Sequence, residues 1–197
     1  MAKKSKKKGV GSKVVLIIST AIFVIGLICF FAIYGAVGVT SINVLKINYL
    51  GKENTTITTL MFAGLTALFG GDANFSIHYS DKDAVDAGTI SLMFNYGTFI
   101  ALMLVVIGFV LFVATYKNKL CRLVSVLLLV SGTIVLFCSG AIFAGINADN
   151  VGVLIKAHST IGQQTTVDIG SMVLGIASGL IGLFNLFHLV ILLAKGK

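Results

Sequence analysis

The groups in this chain able to move protons or hold a metal are three histidines, seven carboxylates and three cysteines. His78 and His158 lie in polar stretches, the first close to Asp72, Asp81, Asp83 and Asp86. Zinc and calcium sites need ligands at tight, recurrent spacings, and these acids and histidines show none. The run DKDAVDAG, residues 81–88, echoes a calcium loop but lacks the glycine at its sixth position and the closing glutamate. Cys29, Cys121 and Cys138 are scattered through or beside apolar runs, so they form neither a metal set nor an outer disulfide framework. Cys121, beside basic residues, is at most an acylation site. No nucleophile–base pair, phosphate loop or cofactor motif stands out, and the expectation is a non-enzymatic protein without cofactor. The third histidine, His188, sits with Asn185 inside an apolar run, as Asn95 and Tyr96 stand near the start of another. A neutral His188 bonded to a neighbouring helix is expected, with Asn95 and Tyr96 as interfacial anchors or inter-helix hydrogen bonders.

The elements that carry these groups follow from composition. Of 197 residues, 57% are hydrophobic and only 11% charged, against roughly 45–50% and 25% in soluble domains. Mean hydropathy is +1.02, and proline is absent. Such a chain requires an apolar solvent. Four uncharged runs are long enough for about 30 Å of hydrocarbon: 14–39, 88–115, 123–146 and 169–194. The first follows a lysine cluster as a secretory leader does, but it exceeds the apolar core of a leader and is read as a retained span.

The charges then assign sides. Lys3, Lys4, Lys6, Lys7, Lys8 and Lys13 precede the first span, Lys117, Lys119 and Arg122 lie in the 116–122 link, and Lys195 and Lys197 close the chain. No acid accompanies them. The other four lysines share the two remaining loops, 40–87 and 147–168, with all seven acids. The positive-inside rule places both termini in the cytoplasm of a plasma-membrane protein. The net charge of +8 is therefore topogenic, with attraction to anionic lipid head groups at the inner face, and not a sign of nucleic-acid binding. Residues 1–13 are expected to be a disordered basic tail and 195–197 a short cytoplasmic end.

The stretch 54–71 is uncharged too, but a fifth span would separate the termini. Ile57, Leu60, Met61, Leu65, Leu68 and Phe69 fall on one helical stripe, which predicts an interfacial helix over 56–70 ended by Gly70-Gly71. Period-two alternation predicts a strand in NFSIHYS, 74–80, a weaker one over 41–50 that breaks at Val44-Leu45, and one at 151–157. Asn54 and Asn74 begin three-residue glycosylation sequons, matches that arise easily by chance.

The expected fold is an all-α membrane protein, an antiparallel four-helix transmembrane bundle with a small extracellular α+β cap. Four spans, inner termini and a larger first outer loop resemble the claudin-like tetraspan layout. The resemblance is one of layout alone, because the tryptophan and cysteine pair of the claudin loop are missing, as is the Cys-Cys-Gly motif of tetraspanins. In the last span Ser171, Gly175 and Gly179, with Ser178 and Gly182, stand four apart, a spacing for close helix packing or association. The function expected is that of a binding, structural or accessory subunit engaging another membrane protein or a second copy of itself. Its rivals are an oligomeric channel or transporter subunit and, behind it, a lipid-modifying enzyme using His78, His158 or the acids of the outer loops.

Overall fold

A computed structural model describes residues 7–36, 40–44, 47–49, 52–54, 58–62, 65–79, 82–114, 118–147 and 169–194. Four helices are long and apolar enough to cross a membrane, with spans at Lys13–Ile33, Tyr96–Ala114, Lys119–Phe137 and Ile169–Ile191. They are compatible with a multi-pass membrane protein. Helix α1 runs Lys7–Ala36, α3 Tyr96–Ala114, α4 Lys119–Phe137 and α6 Ile169–Ala194, with a single turn, α2, at Thr66–Phe69 and a short α5 at Ser139–Ile146. Two of them start on side-chain caps that satisfy orphan amides. Asn95 accepts from Thr98 N at 3.1 Å ahead of α3. Asn118 accepts from Leu120 N at 3.0 Å ahead of α4.

Several boundaries differ from those expected. Helix α1 starts at Lys7, so residues 7–12 are helical backbone and not disordered tail; residues 1–6 lie outside the described set. The second span opens at Tyr96, not 88, because Lys82–Leu92 is a strand. Thr89 and Ser91 alternate with Ile90 and Leu92, a pattern hidden by the lack of charge. The third span begins at Lys119 and is interrupted at Cys138, after which α5 resumes. With no proline available, the Ser139-Gly140 pair is the local cause.

The largest correction concerns 56–70. Thr58–Phe62 is strand β4, and helix survives only at Thr66–Phe69. Leu60 and Met61 are therefore strand residues, Leu65 precedes the single turn, and Ile57 lies outside the described residues. The apolar residues fit both periods, and threonine favours the extended one. Partners on both sides decide it: Leu60 stands opposite Ile42 of β1 (Thr40–Val44) and Ile77 of β5 (Gly71–Tyr79). β6 is Lys82–Leu92, and the antiparallel sheet has the order β1-β4-β5-β6. β2 (Ile47–Tyr49) and β3 (Lys52–Asn54) form a separate ribbon. The 74–80 strand is thus found within β5, and the 41–50 strand divides into β1 and β2 where its alternation breaks. The expected strand at 151–157 lies outside the described residues.

One core joins sheet and helices. Phe23 of α1 stacks on Phe109 of α3 with centroids 4.0 Å apart. Leu68, Ala73 and Leu92 are buried in the same cluster as Ala101, Leu136 and Phe143. The opposite surfaces of the helices are apolar and open, as at Ile17, Leu127, Leu183 and Phe187. Glycine sets the helix spacing. A Cβ on Gly132 of α4 would meet Ala101 O of α3 at 3.1 Å and Val105 Cγ2 at 2.6 Å. Substituting Gly132→Ala is expected to cost about 1–3 kcal/mol by overpacking. Gly145→Ala, with nothing within 4 Å of its added Cβ, should be neutral or stabilising. Unfolding of the two variants in mixed micelles checks this; equal effects would remove glycine-limited packing as the explanation.

Candidate functional site

Helices α4 and α6 run antiparallel and meet along a seam of small and polar residues. On α4, Arg122 and Ser125 stand three apart; on α6, Asn185 and His188 do the same. That spacing puts each pair on one face. Arg122 Nη1 lies 2.6 Å from His188 Nδ1. A guanidinium has no acceptor, so the arginine donates and the Nδ1 lone pair receives, which leaves the imidazole proton on Nε2. One turn further along, Asn185 Nδ2 donates to Ser125 Oγ at 3.0 Å. Ser125 Oγ in turn donates to Gly108 O of α3 at 2.7 Å. The polar chain thereby crosses three helices. Beyond it, Thr133 and Ser178 hydroxyls lie 2.8 Å apart. Asn185 Oδ1 is buried with no hydrogen-bond partner among the described residues.

The small residues expected in the last span belong to this seam. Added Cβ atoms would meet Phe137 at 3.4 Å from Gly175, Thr133 at 3.4 Å from Gly179 and Leu129 at 3.5 Å from Gly182. Ser171 and Ser178 are buried. The face that these residues present is thus turned to α4 of the same chain.

Arg122 departs from its expected place. Grouped by sequence with the surface cations of the link, it is fully buried within α4. Its side chain points to α6 because His188 offers an acceptor there, and burying an arginine head requires one. Lys13 and Lys119 do remain exposed, and Lys7 and Lys8 lie on α1. Lys3, Lys4, Lys6 and Lys117 are outside the described residues. The sequence signal for the seam was the matched three-residue spacing of polar groups in two apolar runs.

A second polar cluster fastens the opposite end. Asn95 N donates to Leu68 O at 3.1 Å, and Met93 N donates to the buried Asn147 Oδ1 at 2.8 Å. Asn147 Nδ2 reaches Phe143 O at 3.2 Å. Asn95 is buried and capping while Tyr96 is exposed. Where β5 and β6 adjoin the helices, residues 71–74 and 89–92 have a buried side, with Ala73 and Leu92, and an exposed side bearing Asp72, Asn74, Thr89 and Ser91. Register sets Asp72 opposite Ser91 and Asn74 opposite Thr89, and Thr89 Oγ1 donates to Asn74 Oδ1 at 3.1 Å. His78 is opposite Thr59, and His158 lies outside the described residues. Among the described residues no group of three or more His, Cys, Asp or Glu gathers to hold a metal.

No protein-family model, curated protein or solved structure matches this chain.

Chemically, the seam holds helices in register. It offers a cation, a neutral imidazole, an amide and hydroxyls, and its hydrogen bonds described above run between helices. His188→Leu should cost about 3 kcal/mol, since it strips an acceptor from a buried guanidinium. Arg122→Met combined with His188→Leu should cost less than the two singles added, with a coupling of about 0.5–3 kcal/mol. A double-mutant cycle in mixed micelles measures this, and strict additivity would mean that the two side chains do not act as a pair.

Proposed function

We propose that this chain is a plasma-membrane protein with both termini in the cytoplasm that acts without catalysis, as a binding or accessory subunit. In this reading the sheet lies outside the cell and presents its polar side to another membrane protein or to an external one. The arrangement of four spans below a larger first outer loop then follows the claudin-like layout. The observation that carries the reading is how the sheet is mounted. Its lower side is buried in the same core as the helices, and two backbone amides tie its edge to the span ends. On the opposite side of the same β5–β6 segment, Asp72, Asn74, Thr89 and Ser91 are exposed. A connector needs no such rigid fixing, whereas a recognition surface gains from it because less ordering is lost on binding.

Crosslinking in native membranes, extraction in mild detergent and mass spectrometry test the proposal. A second protein should be recovered in fixed ratio with the wild type and lost with the paired substitution Asn74→Arg and Thr89→Arg, whose monomer should stay folded. Recovery of a single discrete homo-oligomer, unchanged by those substitutions, would overturn the accessory-subunit reading. Liposome flux measurements would then decide whether that oligomer conducts.

A further inference from the structure

Two buried side-chain atoms at the joint between sheet and bundle have no hydrogen-bond partner among the described residues: Asn95 Nδ2 and Thr98 Oγ1. Both residues are fully buried. The local backbone explains each case. Asn95 caps α3, and its Oδ1 accepts from Thr98 N at 3.1 Å. That bond fixes the orientation of the carboxamide, because turning it over would set two donors against each other. The group left over is therefore a donor. Asn118 caps α4 in the same way, but Asn118 is exposed, so its spare nitrogen is open to the surroundings.

Thr98 has a related difficulty. A threonine inside a helix can donate to the carbonyl four residues back. Thr20 does so to Leu16 O at 2.8 Å, and Thr133 to Leu129 O at 2.7 Å. Thr98 stands in the first turn of α3. The residue four back is Phe94, which precedes the cap and lies outside the helix, and no such bond forms.

The neighbouring side chains offer no remedy. Leu68, Leu92 and Phe143 are apolar and buried in the same core. Asn147 has both ends of its carboxamide engaged, by Met93 N and by Phe143 O. α3 and α5 already lie so close that a Cβ added at Gly97 would collide with Ile142. Yet a buried donor and a buried hydroxyl require partners, and leaving them bare is costly. The two atoms are adjacent: the carboxamide that bears the first is bonded to the backbone of the residue that bears the second. A buried water is held by about two to four polar partners. Its oxygen can receive a hydrogen from Asn95 Nδ2 and another from Thr98 Oγ1. Its own hydrogens need carbonyl lone pairs, and Leu68 O and Phe94 O at this corner have two each.

We infer that the joint between sheet and bundle contains a binding site for one ordered water molecule, held by Asn95 Nδ2 and Thr98 Oγ1. The water completes the hydrogen bonding of the first turn of α3 at the point where Leu68 and the sheet rest on it. The inference does not depend on which side of the membrane the sheet faces.

Water-edited solid-state NMR on the full-length, isotope-labelled protein in lipid bilayers tests it. Magnetisation from water should reach the Asn95 carboxamide and the Thr98 side chain sooner than the buried Leu68 and Phe143. Thr98→Val keeps the shape of the side chain and removes the hydroxyl. With a water at the site, this replacement should weaken the transfer to Asn95 and lower the folding equilibrium constant in mixed micelles by on the order of tenfold. Thr98→Ser should preserve the transfer. At a dry site, Thr98→Val would exchange a stranded hydroxyl for a methyl group and stabilise the protein. A gain of stability in that variant overturns the inference. So does the absence of early transfer in the wild type, a measurement that stands even if the valine variant does not fold. Transfer to Asn95 that Thr98→Val leaves unchanged would come from surface water and overturns it as well.

Discussion

Close approach of α4 to both of its neighbours is the constraint from which the rest of the bundle follows. Gly108 and Gly132 leave no room for a side chain between α3 and α4, whereas Gly175, Gly179 and Gly182 face α4 with room for a Cβ at ordinary contact distance. In hydrocarbon there is no hydrophobic drive to bring helices together, so packing and hydrogen bonding must do it. Only where a glycine leaves the backbone bare can Ser125 reach the carbonyl of Gly108. The same intimacy lets Asn185 reach Ser125 and Arg122 reach His188. Polar residues that would each be unfavourable in lipid join in a ladder of inter-helix hydrogen bonds that leaves Asn185 Oδ1 unmatched among the described residues, while the outward faces stay apolar.

The other end solves a different problem. A four-stranded sheet must end on something, and its lower side is apolar at Ala73 and Leu92. The helix ends receive it through Leu68 and Phe143, and Asn95 and Asn147 absorb the backbone groups that the junction would otherwise strand. Gly70 marks how tight this corner is: its φ of 78° suits glycine, and a Cβ there would meet Phe94 N at 2.8 Å.

Much of this was legible in the residues, and the exceptions share a cause. Hydropathy located the four spans, since each is long and nearly free of charge. Alternation located β5, whose polar and apolar residues trade places without interruption. Residues 58–62 and 88–92 read as helix because neither period nor charge separates an uncharged strand from a helix of similar composition; the partners that decide them lie elsewhere in the chain. Ser139-Gly140 breaks a helix that carries no proline to announce it. Arg122 reads as a surface cation because it follows Lys117 and Lys119, and the imidazole that it meets in the fold, His188, lies 66 residues further on. The small residues of the last span were visible, but whether they meet α4 or another molecule is a property of the assembled bundle.

That separation of 66 residues also has a meaning in time. A ribosome adds about 5–20 residues each second, so Arg122 enters the bilayer roughly 3–13 s before the histidine that receives it has been made. Throughout that interval the contact between Arg122 and His188 cannot form. The pairing of α4 with α6 at this level is therefore formed only after α6 has been synthesised, long after the arginine that it engages.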